Sequence, residues 1–250
     1  MKILFANGDS HTAGSELENG QQITCYEKAW SSVLGNKLNL KNINISKPGA
    51  SNYRIFRTTR DWIYENIVLN KNYKSEDLIV IVMWSGFDRN EVFFPDTNIL
   101  DNMGFSTETD IFKTDLKKDL KKLQESTVSL QDDLISAYKS LDSVYSLSLF
   151  LESLNIKYYF INGLYTFIRL ENLNRNHAMF NSYKNLITMM GDRPSNFMGF
   201  YNPEEVFFNY MRNSSGIEIP KHSKYSHYGE DGHKHWANVV YKFYFEKKLI

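Results

Sequence analysis

The sequence contains almost no cysteine, no excess of charge of either sign and no long apolar run. Cys25 is the single cysteine among 250 residues, which excludes an internal disulfide and gives no indication of an oxidising compartment. Lys plus Arg and Asp plus Glu each number 29, so bulk charge favours neither nucleic acid nor an anionic membrane as partner. No stretch approaches the ~18 consecutive apolar residues that span a bilayer.

Several familiar motifs are also missing. The apolar run 3–6 is too short for the core of a secretory signal and leads into a turn. We therefore expect a soluble protein that is cytoplasmic by default, with assembly into a larger particle left open and the oligomeric state not predicted. The sequence has no phosphate loop, Gly-x-Gly-x-x-Gly run, Gly-x-Ser-x-Gly elbow or Cys-rich zinc spacing, which argues against nucleotide binding and ordinary lipase chemistry.

The residues that are present predict an α/β fold. With 42% hydrophobic and 15% aromatic residues, the chain can bury a sizeable core. Continuous apolar runs at 2–7, 42–46, 78–85 and 156–162 are typical of buried parallel strands. Helical patterns at 25–38, 52–69, 130–154 and 229–249 alternate with them. This order predicts one domain over residues 1–250, a doubly wound sheet with helices on both faces. We expect insertions at about 90–123, with a charged helix at 113–122, and at 164–215, as a helical lid.

The first segment whose residues could take part in catalysis follows the first predicted strand. Ligands of open α/β sheets bind beyond the carboxyl ends of such strands. It contains Gly8, Asp9, Ser10, Thr12 and Gly14 in the pattern Gly-Asp-Ser-x-Thr-x-Gly. Ser10 stands at the start of a turn or helix, so its backbone N–H can face a developing oxyanion. The alternative is that Asp9 or Ser10 only caps that helix.

This segment resembles the first signature block of the SGNH (GDSL-like) hydrolases, in which the serine is the nucleophile. The resemblance implies a three-layer α/β/α sandwich with a parallel, flavodoxin-like sheet. It also implies ester hydrolysis through an acyl-enzyme, with Ser10 as catalytic nucleophile and no cofactor.

The second loop, 46–52, is similar to the second block of the family, whose glycine donates a backbone N–H to the oxyanion. Gly49 is the matching residue, and its missing side chain would let the substrate approach that N–H closely. An ordinary strand-to-helix turn, with Ser51 or Asn52 as the cap, is the alternative.

The third loop departs from the family pattern Gly-x-Asn-Asp. Counting from the glycine at 86 places Asp88 at the position of the asparagine that completes the oxyanion hole, and an ionised aspartate has no proton to donate. Asn90, Arg89 or Ser85 could supply the donor instead. We take Asn90 as the oxyanion-hole residue, with Asp88 and Arg89 as substrate-binding residues, against an alternative of simple surface ion pairs.

The last segment resembles the family block in which a loop histidine precedes the C-terminal helix. His227, followed by Gly232 and His233, matches it and is predicted to be the general base. The family's aspartate stands three residues earlier, where this chain has Lys224, so the third member of the triad is absent from its usual place and a dyad is expected. His233 and His235 would lie on opposite helix faces, so we predict no metal site.

Together these observations predict a serine esterase for small acyl esters. The aromatic segment 197–210 would shape the pocket and favours O-acetyl groups on a carbohydrate, so the expected partner is a small-molecule or glycan ester. The alternative is a catalytically weak or inactive SGNH-like domain that serves in binding or as a structural component of a larger assembly. Lys224 and Asp88, both departures from the family, favour that alternative.

Overall fold

In the computed structural model, five parallel strands form a single central sheet. The structure describes residues 2–17, 24–87, 89–94, 99–103, 132–167, 172–221, 223 and 226–246. The strands of the sheet are β1 (Ile3–Asn7), β2 (Lys41–Asn44), β3 (Leu78–Trp84), β6 (Lys157–Asn162) and β7 (Phe197–Met198). Their order is β2-β1-β3-β6-β7, and every neighbouring pair is parallel. This is the flavodoxin-like order, and the predicted fold class is confirmed.

Seven α-helices connect and cover these strands within the described residues. They are α1 (Ser10–Ala13), α2 (Trp30–Lys37), α3 (Asn52–Ile63), α4 (Asp133–Ser153), α5 (Phe180–Met190), α6 (Phe207–Asn213) and α7 (Glu230–Tyr241). Turns of π-helix extend α3 over Tyr64–Leu69 and α7 over Lys242–Glu246, and short 3₁₀ turns occupy Ser75–Asp77, Arg193–Asn196 and Pro203–Glu205. Side chains cap α3 and α4: Ser51 accepts the Arg54 N–H, and Asp132 accepts the Ile135 N–H.

Two apolar cores lie on opposite faces of the sheet, because alternate strand residues point to opposite sides. On one face Phe5, Val82 and Phe160 pack with α3, α4 and α5. On the other face Leu4, Met83 and Ile161 pack with α2, α6 and α7. The inner strands β1, β3 and β6 are therefore largely apolar, as expected for a sheet covered on both sides, whereas the edge strand β2 is polar and not buried.

The two predicted insertions differ from the expectation. The 164–215 segment contains α5 and α6, but it also contributes β7, the fifth strand, whose two residues pair with Phe160 and Ile161. The 90–123 segment begins with an antiparallel hairpin, β4 (Asn90–Phe94) and β5 (Ile99–Met103). The helix predicted at 113–122 lies outside the described residues. The helix predicted from residue 25 begins at Trp30, after a stretch of turns.

Among the described helices, none combines the length and the apolar character needed to cross a membrane. The sheet order reverses between β1 and β3, and ligand sites of open α/β folds form at such a switch point. The loops that follow these two strands begin at Gly8 and Ser85, so the sequence motifs converge on this edge.

Candidate active site

Ser10 is the first residue of α1, a helix of four residues that is defined at both ends by its neighbours. Asp9 caps its start, because its Oδ1 accepts the His11 N–H at 3.0 Å. Gly14 ends it in the left-handed conformation, with φ of 71°. Ser10 is largely buried at this edge of the sheet, and 7% of the residue is exposed.

The tight turn before Ser10 requires glycine at position 8. A Cβ there would lie 2.4 Å from Thr12 Oγ1 and 2.9 Å from the Met83 carbonyl oxygen. The Gly8 N–H donates to Asn7 Oδ1 at 2.8 Å, and Asn7 Nδ2 donates in turn to the Thr59 hydroxyl at 2.9 Å. The sequence motif therefore fixes the direction in which the chain leaves β1.

His227 is paired with a carboxylate that the sequence motifs did not reveal. Its Nδ1 lies 2.8 Å from Glu16 Oε2, and both side chains are buried. Ser223 connects the two residues, since its hydroxyl donates to Glu16 Oε2 at 2.7 Å and accepts the His227 N–H at 2.8 Å. The arrangement holds the imidazole through its Nδ1 against a buried carboxylate.

Glu16 was missed because it does not stand where the family keeps its acid. It lies six residues after Ser10 in the first loop, 211 positions before His227. Lys224, at the family position, lies outside the described residues. The backbone of Glu16 is left-handed, with φ of 61°, a conformation that non-glycine residues adopt at a cost. Such strain at a buried carboxylate is typical of a functional position, but nothing in the sequence reports it.

Two further histidines beside His227 are neutral. Burial lowers the pKa of His11 to about 3, and it lowers the pKa of His233 to about 3. The His11 ring lies 4.8 Å from the His227 ring, measured between centroids, so it forms one wall of that site. His233 Nδ1 accepts the Trp30 N–H at 3.0 Å, which ties α7 to α2. Of these three, His227 is the histidine that is bonded to a carboxylate.

The third loop is bound to the first through a buried cluster. Asp9 Oδ2 accepts hydrogen bonds from Ser85 Oγ and Arg89 Nη1, both at 3.1 Å, and Arg89 Nη1 also donates to Ser85 Oγ at 2.7 Å. Burial by itself would raise the pKa of Asp9, but its electrostatic interactions with His11 and Arg89 and the hydrogen bond from the His11 N–H outweigh burial, so this pKa is lowered. Asp9 is therefore a carboxylate, one residue away from Ser10.

The second loop is held against the other two by polar bonds. The Lys47 N–H donates to the Gly8 carbonyl at 3.2 Å. Asn52 Nδ2 donates to the Ser85 carbonyl at 3.1 Å, and Asn52 Oδ1 accepts the Ser85 N–H at 2.7 Å. Gly49 lies between these contacts with φ of 73°, and a Cβ there would meet no atom within 4 Å. The backbone at Gly49 thus borders open space beside the first loop.

The remaining predicted site residues give a mixed outcome. Asp88 lies outside the described residues, and for Asn90 the structure describes the backbone, which begins β4. The prediction that segment 197–210 shapes a pocket is wrong for Phe197, Phe200 and Phe207, which are buried in the two cores because β7 and α6 pack into the fold. No group of three potential metal-ligating side chains occurs among the described residues.

Comparison with known proteins gives a family and a fold. A family model described as a family of unknown function (DUF6071) matches residues 14–179, two thirds of the chain. The chain belongs to this family. The matched stretch includes Glu16 and Gly49. No protein of curated function matches the sequence.

Several solved structures are similar to this chain in fold, at low sequence identity. The crystal structure of TesA has a TM-score of 0.52 at 9% identity, with 98% of this chain and 99% of that chain covered. The psychrotrophic esterase EstA from Pseudoalteromonas sp., inhibited by monoethylphosphonate, has a TM-score of 0.51 at 12% identity, with 100% and 99% covered. A lipolytic protein of the G-D-S-L family from Desulfitobacterium hafniense DCB-2 has a TM-score of 0.50 at 10% identity, with 97% and 99% covered. The fold is that of the SGNH hydrolases, an esterase-like fold.

Proposed function

We propose that this protein is a serine esterase that uses Ser10 as nucleophile, His227 as general base and Glu16 as the orienting acid. The single observation that carries the proposal is the buried contact between Glu16 Oε2 and His227 Nδ1 at 2.8 Å. A carboxylate on Nδ1 favours the tautomer in which Nε2 carries the lone pair that accepts a proton, and it stabilises the imidazolium that forms.

In the proposed reaction, Ser10 Oγ attacks the carbonyl carbon of the ester while its proton passes to His227 Nε2. The backbone N–H groups of Ser10 and Gly49 bind the oxyanion of the tetrahedral intermediate. The intermediate then expels the alcohol, which takes the proton from Nε2, and leaves an acyl group on Ser10. Water, activated by His227 in the same way, hydrolyses the acyl-enzyme and regenerates the site.

Three features beyond the acid support the proposal. A Cβ at Gly49 would meet no atom within 4 Å, and Ser10 follows β1, which borders the switch point of the 2-1-3 strand order. The fold neighbours include an esterase that is inhibited by monoethylphosphonate. Esters of small acids, including O-acetyl groups on sugars, are the substrate class to test first. The aromatic segment no longer argues for a carbohydrate, because three of its rings lie in the core.

The test combines a fluorophosphonate label with two variants. The label should react with the wild type and not with Ser10→Ala. Glu16→Gln should keep the fold and lower turnover by up to about 10⁴-fold, the cost of neutralising the acid in a trypsin-type triad. Glu152→Gln is the matched control, since Glu152 also contacts a basic side chain, Arg193, but away from the site and more exposed, and it should leave turnover unchanged.

A wild type that the label does not modify would contradict the esterase proposal. The alternative function, an inactive domain used for binding or assembly, would then take its place. If the wild type is active and Glu16→Gln is equally active, His227 and Ser10 act as a dyad and the role given to Glu16 is wrong.

A further inference from the structure

The third loop places an arginine against the residue that precedes the nucleophile. Arg89 Nη1 lies 3.1 Å from Asp9 Oδ2, and adjacent Cα atoms are only about 3.8 Å apart, so the guanidinium is held beside the segment that carries Ser10. About a fifth of the Arg89 side chain, 21%, is exposed, whereas Asp9 is almost wholly buried. The arginine therefore contacts the buried carboxylate and is also partly exposed to solvent.

In the third loop, both hydrogen-bond donors of Ser85 already have acceptors, whereas Arg89 has further donors. The Ser85 hydroxyl donates to Asp9 Oδ2, and the Ser85 N–H donates to Asn52 Oδ1. Of the five N–H donors of a guanidinium, those on Arg89 Nη1 bind Asp9 and Ser85. Within the part of the chain that the structure describes, the donors on Nε and Nη2 have no partner.

The charge of Asp9 makes a cation necessary here. A tetrahedral oxyanion on the substrate would develop its negative charge close to a buried carboxylate, and two like charges at short range in a poorly screened site repel strongly. Arg89 is always protonated, so it offsets Asp9 and still presents donors. Its guanidinium is held in place before the reaction by Asp9 and Ser85. Oxyanion donors are most effective when they are positioned in advance in this way.

We propose that Arg89 is the third donor of the oxyanion hole, in the place that the family gives to an asparagine amide. The inference rests on the esterase function proposed above, and it selects Arg89 among the three donors that the sequence had left open, in place of the preferred Asn90. Charge-assisted hydrogen bonds are roughly twice as strong as neutral ones, so a guanidinium can replace an amide at this position.

The first experiment measures kcat and KM of Arg89→Ala on a small neutral ester. We expect kcat to fall about 10²- to 10³-fold, the cost of one oxyanion donor, and KM to change far less, because the oxyanion exists only in the transition state. Added guanidinium ion should restore part of the lost kcat. Arg193→Ala, which removes a surface arginine paired with Glu152, is the matched control and should keep wild-type kcat.

A second variant separates donation from charge compensation. Asp9→Asn combined with Arg89→Ala removes both charges, keeps a side chain that can cap α1 and avoids an unpaired buried carboxylate. We expect its kcat to stay as low as that of Arg89→Ala. Recovery of kcat in the double variant would mean that Arg89 only compensates Asp9, and would overturn the inference.

Other results would overturn it as well. These are a normal kcat in Arg89→Ala, a loss confined to KM, or a loss of kcat that appears in Asn90→Ala but not in Arg89→Ala. Failure of the esterase proposal is recognised separately, because the wild type would then neither hydrolyse the ester nor react with a fluorophosphonate. If Arg89→Ala does not fold, the double variant alone decides the outcome.

Discussion

The neutral histidine in the core should make the protein sensitive to mild acid. His233 has a pKa of about 3 in the folded protein because of burial, against 6.5 for an exposed histidine. Its Nδ1 accepts the Trp30 N–H, so protonation there would place a charge in the core and remove that hydrogen bond. Since the folded pKa is depressed, the unfolded chain binds more protons below pH 6.5, and stability falls from there toward pH 3.

The size of this effect follows from the difference in proton binding. At pH 5 the unfolded histidine lies about 1.5 pH units below its pKa while the folded one is still neutral, and each unit corresponds to 1.36 kcal/mol. The protein should therefore lose about 2 kcal/mol of unfolding free energy through His233 alone between pH 7 and pH 5.

The assay is urea unfolding of the wild type and of His233→Asn at both pH values. Asparagine can accept the Trp30 N–H but does not titrate, so the variant should lose about 2 kcal/mol less than the wild type. Comparing the two differences cancels the other titrating groups, which both proteins share. An equal loss of stability in the two proteins would refute the reasoning.

Three other predictions concern the loops and the chemistry. Gly8→Ala should cost about 1–3 kcal/mol of stability through overpacking, because its Cβ would meet Thr12 and the Met83 carbonyl, and thermal unfolding measures this. Gly49→Ala should cost only about 1–2 kcal/mol for its left-handed backbone, since its Cβ meets nothing; a larger loss than in Gly8→Ala would contradict this account. Ester hydrolysis should survive excess EDTA, and recovery with Zn²⁺ after a loss would indicate a metal site.

Much of the fold could be predicted because its strands are buried on both faces. Continuous apolar runs such as 78–85 have no other stable place in a protein of this composition, and their alternation with helices limits the topology. β7 could not be found in this way. It has two residues, Phe197 and Met198, and so short a strand has no period. Its place depends on pairing with Phe160 and Ile161.

Candidate site residues could be predicted where they directly follow a strand. Ser10 and Gly49 follow strands directly, so their place at the edge of the sheet follows from the strand assignment. Glu16 could not be found, because its partnership with His227 depends on how two loops far apart in sequence meet. From the sequence alone, Ser85 and Arg89 could form hydrogen bonds with many side chains. That both bind Asp9 is seen only in the folded chain.

In the proposed triad the acid comes from the serine loop instead of the histidine loop. In the arrangement that the family motif implies, acid and base share one loop and would travel together. Here Glu16 belongs to the first loop and His227 to the segment before α7, and Ser223 contacts both. In the proposed mechanism the orientation of the base therefore depends on the packing of two segments far apart in sequence, so a substitution that loosens either segment would weaken the contact that orients the imidazole.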